Sequence, residues 1–349
     1  MHTAQGYTVG IICPLEVEVN AVRFMLDEEH PYTKRSQLAR YICGRLGGHN
    51  VVIVTPSTPT NTQSKVATAL ATSDLKRTFP AITHLLSVGI GSGIPNPKNN
   101  IRLGDVVIAT PSGQHCGVVQ FDLGKLELGR FTLKGYLLPP PRELLDILPI
   151  MMSDHRVRRP KIAEFIETAQ TSSATARFSR PLPGKDLLFR ADYHHSPDDT
   201  TCDSCDRDLL VSRPSRQDPV GPVIHYGLIL SGDTIMENAT ERDRIAMEAG
   251  GASCLDTTAA GVLSNFPCLV IRGICDYADS HANAEWRQYA AAAAAAVARE
   301  ILEYIEPVMH TPLDSTDEVQ PAMFCGSFNA QHGKLYNIGC VTSATVILG

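Results

Sequence analysis

The stretch Cys268-Leu-Val-Ile-Arg-Gly-Ile-Cys-Asp276-Tyr-Ala-Asp-Ser-His281 joins an apolar run to acidic residues. The run from Cys268 to Arg272 predicts a buried strand, and Gly273 permits another backbone to approach closely. Ligands of open α/β sheets bind outside the carboxyl ends of the strands, so Asp276 is a candidate general acid or base-binding carboxylate. The alternative is that Asp276 or Asp279 caps a following helix. Spacing favours the cap for Asp279 and leaves Asp276 undecided.

Length and composition limit the class of protein. The 349 residues are 43% hydrophobic, which is enough for a sizeable core in one large α/β domain or two smaller ones. The net charge is −6 and no basic stripe carries interleaved aromatics, which excludes nucleic acid as a partner. No apolar run reaches ~18 residues and no secretory signal is present. We therefore expect a cytoplasmic protein with no membrane contact.

The 10 cysteines are scattered rather than arranged as a disulfide framework, which indicates a reducing compartment. One group stands out, because Cys202-Asp-Ser-Cys205 follows His194-His195. Two cysteines and two histidines can bind zinc, but this spacing matches no strong zinc pattern. The sequence favours reduced thiols in a polar loop, and it assigns neither a metal nor a cofactor.

Several further motifs occur in a fixed order along the chain. They are Gly10-Ile-Ile-Cys13 with Glu16 and Glu18, Val88-Gly-Ile-Gly-Ser-Gly-Ile-Pro95, Gly104-Asp-Val-Val, His225-Tyr-Gly227, Ser231-Gly-Asp233 and Thr258-Ala-Ala-Gly261. Together with the Asp276 stretch, they make the chain from about Tyr7 to about Tyr304 resemble the purine and uridine phosphorylase superfamily. The resemblance is strongest to its fungal branch, whose domains often stand at the front of larger signalling proteins.

The resemblance implies an α/β fold with three layers, α/β/α, around a central mixed and twisted sheet. Residues 1–306 are then one domain, about 139–220 are an insertion typical of that branch, and 307–349 are a polar, irregular tail. The resemblance further implies a small-molecule substrate and a homo-oligomer, which is usual in the family. Within the insertion, the sequence predicts a helix from Pro139 through Ile150 and little periodicity from about Ser153 to Val220.

The resemblance also assigns site residues. Asp276 would be the general acid, and Glu18 rather than Glu16 would orient water or the ribose. Other substrate-binding positions are the glycine-rich turn predicted at Gly89, Ile90 and Gly91, the pocket-wall pair Ser231 and Asp233, and Arg272. Phosphorylases of the family carry an arginine before the glycine turn and a Ser or Thr after its first glycine, where this chain has Ser87 and Ile90. Because a phosphate dianion needs such groups, phosphorolysis is disfavoured and water is the expected nucleophile.

The sugar site departs further from the family. Relatives carry a Met-Glu pair whose carboxylate accepts hydrogen bonds from the ribose hydroxyls, and this chain has Thr257-Thr258. Charge-assisted hydrogen bonds contribute roughly 1.5–3 kcal/mol each, so affinity for ribose should fall by orders of magnitude. Asp256 is two residues upstream, about 7 Å away along a strand, and we do not expect it to substitute. Relatives also carry glycines in the loop around 57–62, where this chain has Thr and Pro.

Three functions remain open. The first is hydrolysis of the N-glycosidic bond of an unusual purine-nucleoside-like substrate, with Thr258 as a weak substitute in the sugar site. The second is that of a repurposed enzyme acting on a non-nucleoside small molecule in fungal specialised metabolism. The third is that of an inactive binding or sensing module. A purine-sized slot favours the first function, a wider apolar cavity the second, and a pocket filled by side chains the third.

Overall fold

The strand predicted from Cys268 lies in the centre of the sheet. In the computed structural model, β13 (Leu269–Asp276) lies between β5 (His84–Gly93), which is parallel to it, and β6 (Val106–Ala109), which is antiparallel. All its residues before Asp276 are buried. Helix α7 (Arg287–Glu303) packs on the strand so closely that a Cβ at Gly273 would overlap the carbonyl oxygen of Ala290. The close approach predicted for Gly273 is therefore that of a helix.

The structure describes residues 3–31, 36–57, 64–96, 99–128, 130–172, 178–196, 198–199, 201–216, 221–281 and 284–307. Residues 58–62 of the loop predicted around 57–62, and the predicted tail beyond residue 307, lie outside these residues. None of the described helices is both long enough and apolar enough to span a bilayer.

The remaining elements have the following bounds. The other strands are β1 (Val9–Ile12), β2 (Glu28–His30), β3 (Ala39–Leu46), β4 (His49–Pro56), β7 (Val118–Gln120), β8 (Gly124–Glu127), β9 (Arg130–Leu133), β10 (Ile224–Gly227), β11 (Ile229–Ser231) and β12 (Cys254–Asp256). The other helices are α1 (Glu16–Phe24), α2 (Lys65–Thr78), α3 (Arg142–Val157), α4 (Ile162–Ser172), α5 (Ala239–Glu248) and α6 (Ala259–Leu263).

Eleven of the described strands form one mixed sheet. Its main order is β10-β6-β13-β5-β1-β4-β3-β2, while β12 pairs with the end of β5 and is followed outward by β11 and β7. Strands β8 and β9 form a separate hairpin. Helices α1, α3 and α4 pack on α7, and α2 packs on α6. This arrangement of helices flanking a mixed sheet confirms the predicted fold class.

The glycine-rich segment 89–93 is a strand and not the predicted turn. It continues β5, and β12 pairs with it at Ser92 and Gly93. A Cβ at Gly91 would lie 2.7 Å from the Cys254 sulfur, and one at Gly89 would overlap the Glu18 carboxylate. The glycines are therefore needed for close packing against neighbours distant in sequence, which local pattern does not reveal.

Two other predictions differ from the structure. The apolar run over 223–230 predicts a single strand, but the structure divides it into β10, which pairs with β6, and β11, which pairs with β12, because the chain passes between two parts of the sheet at Leu228. The helix expected from Pro139 through Ile150 begins at Arg142 and continues past Ile150 to Val157. Helix α4 follows it in the region expected to be irregular. Ile162 and Ile166 of α4 are buried in the core.

Candidate active site

A large cavity opens where the carboxyl ends of β5, β12 and β13 meet α1 and the start of α7. Its volume is about 1140 Å³. Among the predicted site residues, it is lined by Asp276, Ile90, Gly91, Asp233 and Thr257. The other predicted residues, which do not line it, are Glu18, Gly89, Ser231, Thr258 and Arg272.

Asp276 occupies the end of β13, where its half-buried carboxyl borders the cavity. Its Oδ1 accepts a hydrogen bond from the Ala278 amide at 2.9 Å, and the Cys275 thiol donates to Oδ2 at 3.2 Å. Asp279 makes the same local bond, because its Oδ1 accepts from the His281 amide at 2.9 Å. The alternative of a helix cap is wrong for both residues, since the N-cap of α7 is Trp286. Asp276 and Asp279 thus share a turn geometry, but only Asp276 borders the cavity.

Behind the cavity wall lies a buried ion pair between Arg272 and Asp256. The Arg272 side chain is 1% exposed, and its Nη2 lies 2.6 Å from Asp256 Oδ2. The guanidinium also donates to the Ser87 carbonyl at 2.8 Å and to the Ser87 hydroxyl at 3.0 Å. Arg272 therefore does not reach a ligand in the cavity directly. It holds Asp256, which does line the cavity, so any contribution of Arg272 to substrate binding passes through that carboxylate.

The two threonines of the sugar site have different surroundings. Thr257 lines the cavity, whereas Thr258 is buried at the N-terminus of α6. The Thr258 hydroxyl accepts a hydrogen bond from Arg272 Nη2 at 3.3 Å and lies 3.5 Å from Asp256 Oδ2. Since its short side chain is used inside the wall, Thr258 offers no group to a ligand in this structure.

Glu18 is 4% exposed and binds two backbone amides. Its Oε2 accepts from the Leu15 amide at 2.8 Å and its Oε1 accepts from the Ile90 amide at 2.9 Å. Burial raises the pKa of the Glu18 carboxyl to about 7, although the Arg272 cation and these two amides act in the opposite direction. Leu15 and Ile90 both line the cavity, so Glu18 lies immediately behind that part of the wall, while Glu16 lines the cavity itself.

The two predicted pocket-wall residues, Ser231 and Asp233, also differ in their access to the cavity. The Ser231 hydroxyl is fully buried and accepts from the Ala260 amide at 2.9 Å, which stabilises the start of α6. Asp233 lines the cavity at its exposed edge, where its Oδ1 accepts from the Lys65 amide at 3.1 Å. Only Asp233 can therefore contact a bound molecule.

Two kinds of cavity residue were not predicted from the sequence. The rings of Phe24 and Phe178 meet at a centroid distance of 4.7 Å and form an aromatic wall. Arg287, the first residue of α7, is exposed at the cavity and forms no ion pair with another described residue. One signal was available, because Phe24 lies off the face of α1 on which Val19 and Val22 face the core. An aromatic side chain on that other face needs a second partner, which can be a ligand.

Comparisons with known proteins agree with this architecture. A model of the phosphorylase superfamily matches residues 8–306. A nucleotide-binding leucine-rich repeat (NLR)-like protein of Hyaloscypha variabilis is 37% identical over 307 residues, which are 87% of this chain and 30% of that protein. The chain thus spans about 30% of the length of this relative. A 5'-methylthioadenosine/S-adenosylhomocysteine nucleosidase of Mycobacterium bovis is 26% identical over 310 residues, covering 86% of the chain and 98% of the enzyme.

Solved structures share the fold at lower identity. The 5'-methylthioadenosine/S-adenosylhomocysteine nucleosidase of Neisseria meningitidis, in complex with methylthio-immucillin-A, has a TM-score of 0.52 at 18% identity, with 85% of this chain and 99% of that chain covered. The futalosine hydrolase of Helicobacter pylori has a TM-score of 0.50 at 16% identity, with coverages of 86% and 99%. The superfamily model covers most of the sequence, and the fold agrees with it. The chain belongs to the phosphorylase superfamily.

Proposed function

We propose that the chain hydrolyses the N-glycosidic bond of a purine-nucleoside-like substrate, with Asp276 as the general acid. The observation that carries the proposal is the pairing of two carboxyl groups with one cavity. Asp276 borders it directly, and Glu18, with its pKa raised to about 7, lies behind Leu15 and Ile90 in its wall. Hydrolysis of such a bond is promoted by a general acid together with a general base whose pKa lies near neutral pH.

The chemistry balances without phosphate. Protonated Asp276 would donate its proton to N7 of the purine while the bond between C1' and N9 breaks. The electron pair of that bond stays on the base, and the sugar gains oxocarbenium character. Water then adds to C1' and loses a proton, which gives the free base and the free sugar. Glu18 would accept this proton from water entering between Leu15 and Ile90, since its carboxyl is about half ionised near pH 7.

Water is favoured over phosphate by the groups at the end of β5. The Ile90 amide, which would otherwise be a donor for an anion, already donates to Glu18. The Ser87 hydroxyl is fully buried against Arg272 and faces no ligand. A phosphate dianion would thus meet a carboxylate where it needs a donor or a cation.

The sugar side supports a substrate that is not recognised through two adjacent hydroxyls. Thr258 is sealed inside the wall, and Asp256 accepts hydrogen bonds from Arg272 and from the Ala259 amide. The relatives named as nucleosidases support hydrolysis in general terms, and the substrate class is our proposal. Cytoplasmic location, a homo-oligomeric state and the assignment to a fungal branch remain predictions.

The test measures release of free base from adenosine, inosine and guanosine by the purified chain, with and without phosphate. We expect release that does not depend on phosphate and that is lost in Asp276→Asn. A strict requirement for phosphate would show that the chain is a phosphorylase, and release by Asp276→Asn at the wild-type rate would remove the proposed acid.

A second function is favoured by the size of the cavity. Its volume of about 1140 Å³ exceeds the roughly 300–1,000 Å³ that is usual for small-molecule sites. Much of the wall is apolar, and these lining residues include Leu15, Val17, Phe24, Phe178, Ile235 and Met236. A larger, non-nucleoside substrate fits these features. Absence of base release from all three nucleosides, together with thermal stabilisation of the chain by apolar candidate substrates, would favour this function. The filled pocket expected of an inactive module is not seen in the described residues.

A further inference from the structure

Three potential metal ligands converge where His195 lies next to Cys202 and Cys205. The ligand atoms of His195, Cys202 and Cys205 all lie within 4.8 Å of one another. Neighbouring ligand atoms of a tetrahedral zinc site are roughly 3.3–3.8 Å apart, as follows from bonds of about 2.0–2.3 Å. Cys205 is buried and the other two side chains are half-buried. Only a small contraction is needed for all three to reach one ion.

His281 provides an independent sign of a missing partner. Its side chain is 7% exposed, yet neither ring nitrogen has a hydrogen-bond partner among the described residues. The His281 ring lies 5.5 Å from the His195 ring, measured between centroids, and its carbonyl oxygen is 3.7 Å from the Cys202 sulfur. A buried polar group without a partner is unfavourable, so this imidazole is a candidate fourth ligand.

Neighbouring groups hold the two histidine rings in place. Phe189 and Tyr193 stack on the His281 ring at centroid distances of 4.2 and 5.1 Å. His195 has Nδ1 at 2.8 Å from the Ser196 carbonyl oxygen and Nε2 at 3.1 Å from that of Thr201. A neutral imidazole has one N–H, so it can donate to only one of these carbonyls. If Nδ1 donates to Ser196, Nε2 can bind a metal once it turns from the Thr201 carbonyl, and ligating histidines usually hold their other N–H in this way.

We propose that His195, Cys202, Cys205 and His281 form a structural zinc site. The two thiols lose their protons on binding, and two thiolates with two neutral imidazoles balance the charge of Zn²⁺. Four protein ligands leave no open position, so the ion would have a structural role. The site would fasten the 194–205 segment to the turn that follows Asp276, where His195 already donates from its amide to the Ser280 hydroxyl at 2.9 Å. Sequence spacing did not show the set, because His281 lies in a different part of the chain.

The first test is the zinc content of the full chain, purified under reducing conditions and measured by elemental mass spectrometry. We expect one zinc per chain in the wild type, and less than about a tenth of that in His195→Asn and in the double variant Cys202→Ser/Cys205→Ser. Matched controls are His194→Asn, which changes the exposed neighbouring histidine, and Cys116→Ser, which changes a half-buried thiol elsewhere. Both controls should keep the metal. A wild-type chain that takes up no zinc from added Zn²⁺, or variants that retain it, would overturn the site.

Two further measurements keep the test informative if a variant folds poorly. Replacement of zinc by Co²⁺ in the wild-type chain should give the visible absorption of tetrahedral cobalt with thiolate ligands, and His281→Ala should change it. An unchanged cobalt spectrum in His281→Ala would overturn the four-ligand set. A chelator should lower the Tm of the wild type by several degrees and leave that of the double cysteine variant unchanged. A Cys202–Cys205 disulfide found by peptide mass mapping in a chain that binds no Zn²⁺ would contradict the proposal.

Discussion

The two ends of the cavity use their polar side chains in different ways. At the end formed by β13, Asp276 faces the cavity and is held by a bond from the Ala278 amide. At the end formed by β12, Thr258 is turned into the wall and joins the Arg272–Asp256 pair. The first end presents a carboxyl group to the cavity, whereas the second holds its hydroxyl inside the wall. The comparison shows that a position beside the cavity does not by itself place a side chain in it, because the buried pair binds Thr258 and not Asp276.

The largest effect is expected at the acid end. In the proposed mechanism Asp276 gives a proton to the leaving base, so Asp276→Asn should lower base release by about 10²–10⁴-fold. Asp279→Asn is the matched control, because Asp279 makes the same backbone bond without bordering the cavity. The measurement is the steady-state rate of base release by each variant. Equal losses in the two would mean that the turn, and not a proton, is what the reaction requires.

The buried pair should matter next, and mainly for stability. Arg272→Met leaves Asp256 as a buried carboxylate without its cation, so the free energy of unfolding should fall by about 3–5 kcal/mol. Removing both charges in Arg272→Met/Asp256→Leu should recover most of this loss. Urea unfolding of the two variants tests the expectation. A double variant that is less stable than the single one would show that the pair contributes more than mutual neutralisation.

The Glu18 carboxyl gives a pH-dependent prediction. Its pKa is about 7 in the folded chain and 4.5 as a free side chain, so the folded state binds this proton more tightly. The resulting stabilisation is full below pH 4.5 and is lost as the pH rises through 7, a change of about 3 kcal/mol. Glu18→Gln should therefore flatten the fall in unfolding free energy between pH 5 and 7. The exposed neighbour Glu16 supplies the control, because Glu16→Gln should leave the fall as it is.

The smallest effect concerns the sugar end. With Thr258 inside the wall, we expect the rates for adenosine and 2'-deoxyadenosine to agree within about threefold. Thr258→Glu places a carboxylate that can accept from the ribose hydroxyls, so it should raise the preference for adenosine by about 10–100-fold. The neutral variant Thr258→Gln should raise it much less. A strong wild-type preference for adenosine would show that another group already recognises the sugar.

Elements with a continuous local pattern were predictable. The apolar run of β13 lies close to its predicted position, and the shared motifs identified the family. The strand at Gly89–Gly93 was mistaken for a turn, because its glycines serve contacts with Glu18 and Cys254 that form only in the folded chain. Helix α4 was missed although Ile162, Phe165, Ile166 and Ala169 have helical spacing, because its polar surroundings concealed the pattern.

The position of Asp276 followed from a general rule about strand ends in open α/β sheets. The positions of Arg272, Glu18 and Thr258 did not follow from such a rule. Whether Arg272 reaches the cavity or stays behind it depends on β12 and β13 both packing against β5, which brings Asp256 next to the guanidinium. Glu18 and Thr258 likewise turn inward because nearby amides and charges bind them. Such burial is set by the packing of several strands and has no signature in local sequence.

The close packing of Gly273 on Ala290 limits how this scaffold can be altered. No side chain can be inserted there without moving α7 away from the sheet, and the same strand carries Asp276. Libraries aimed at new substrates should therefore leave 269–276 and 287–303 unchanged. They should instead vary Val17, Phe24, Ile235 and Met236, which line the cavity away from this contact. Substitutions at these wall residues can change what the cavity binds without disturbing the contact between the strand and the helix.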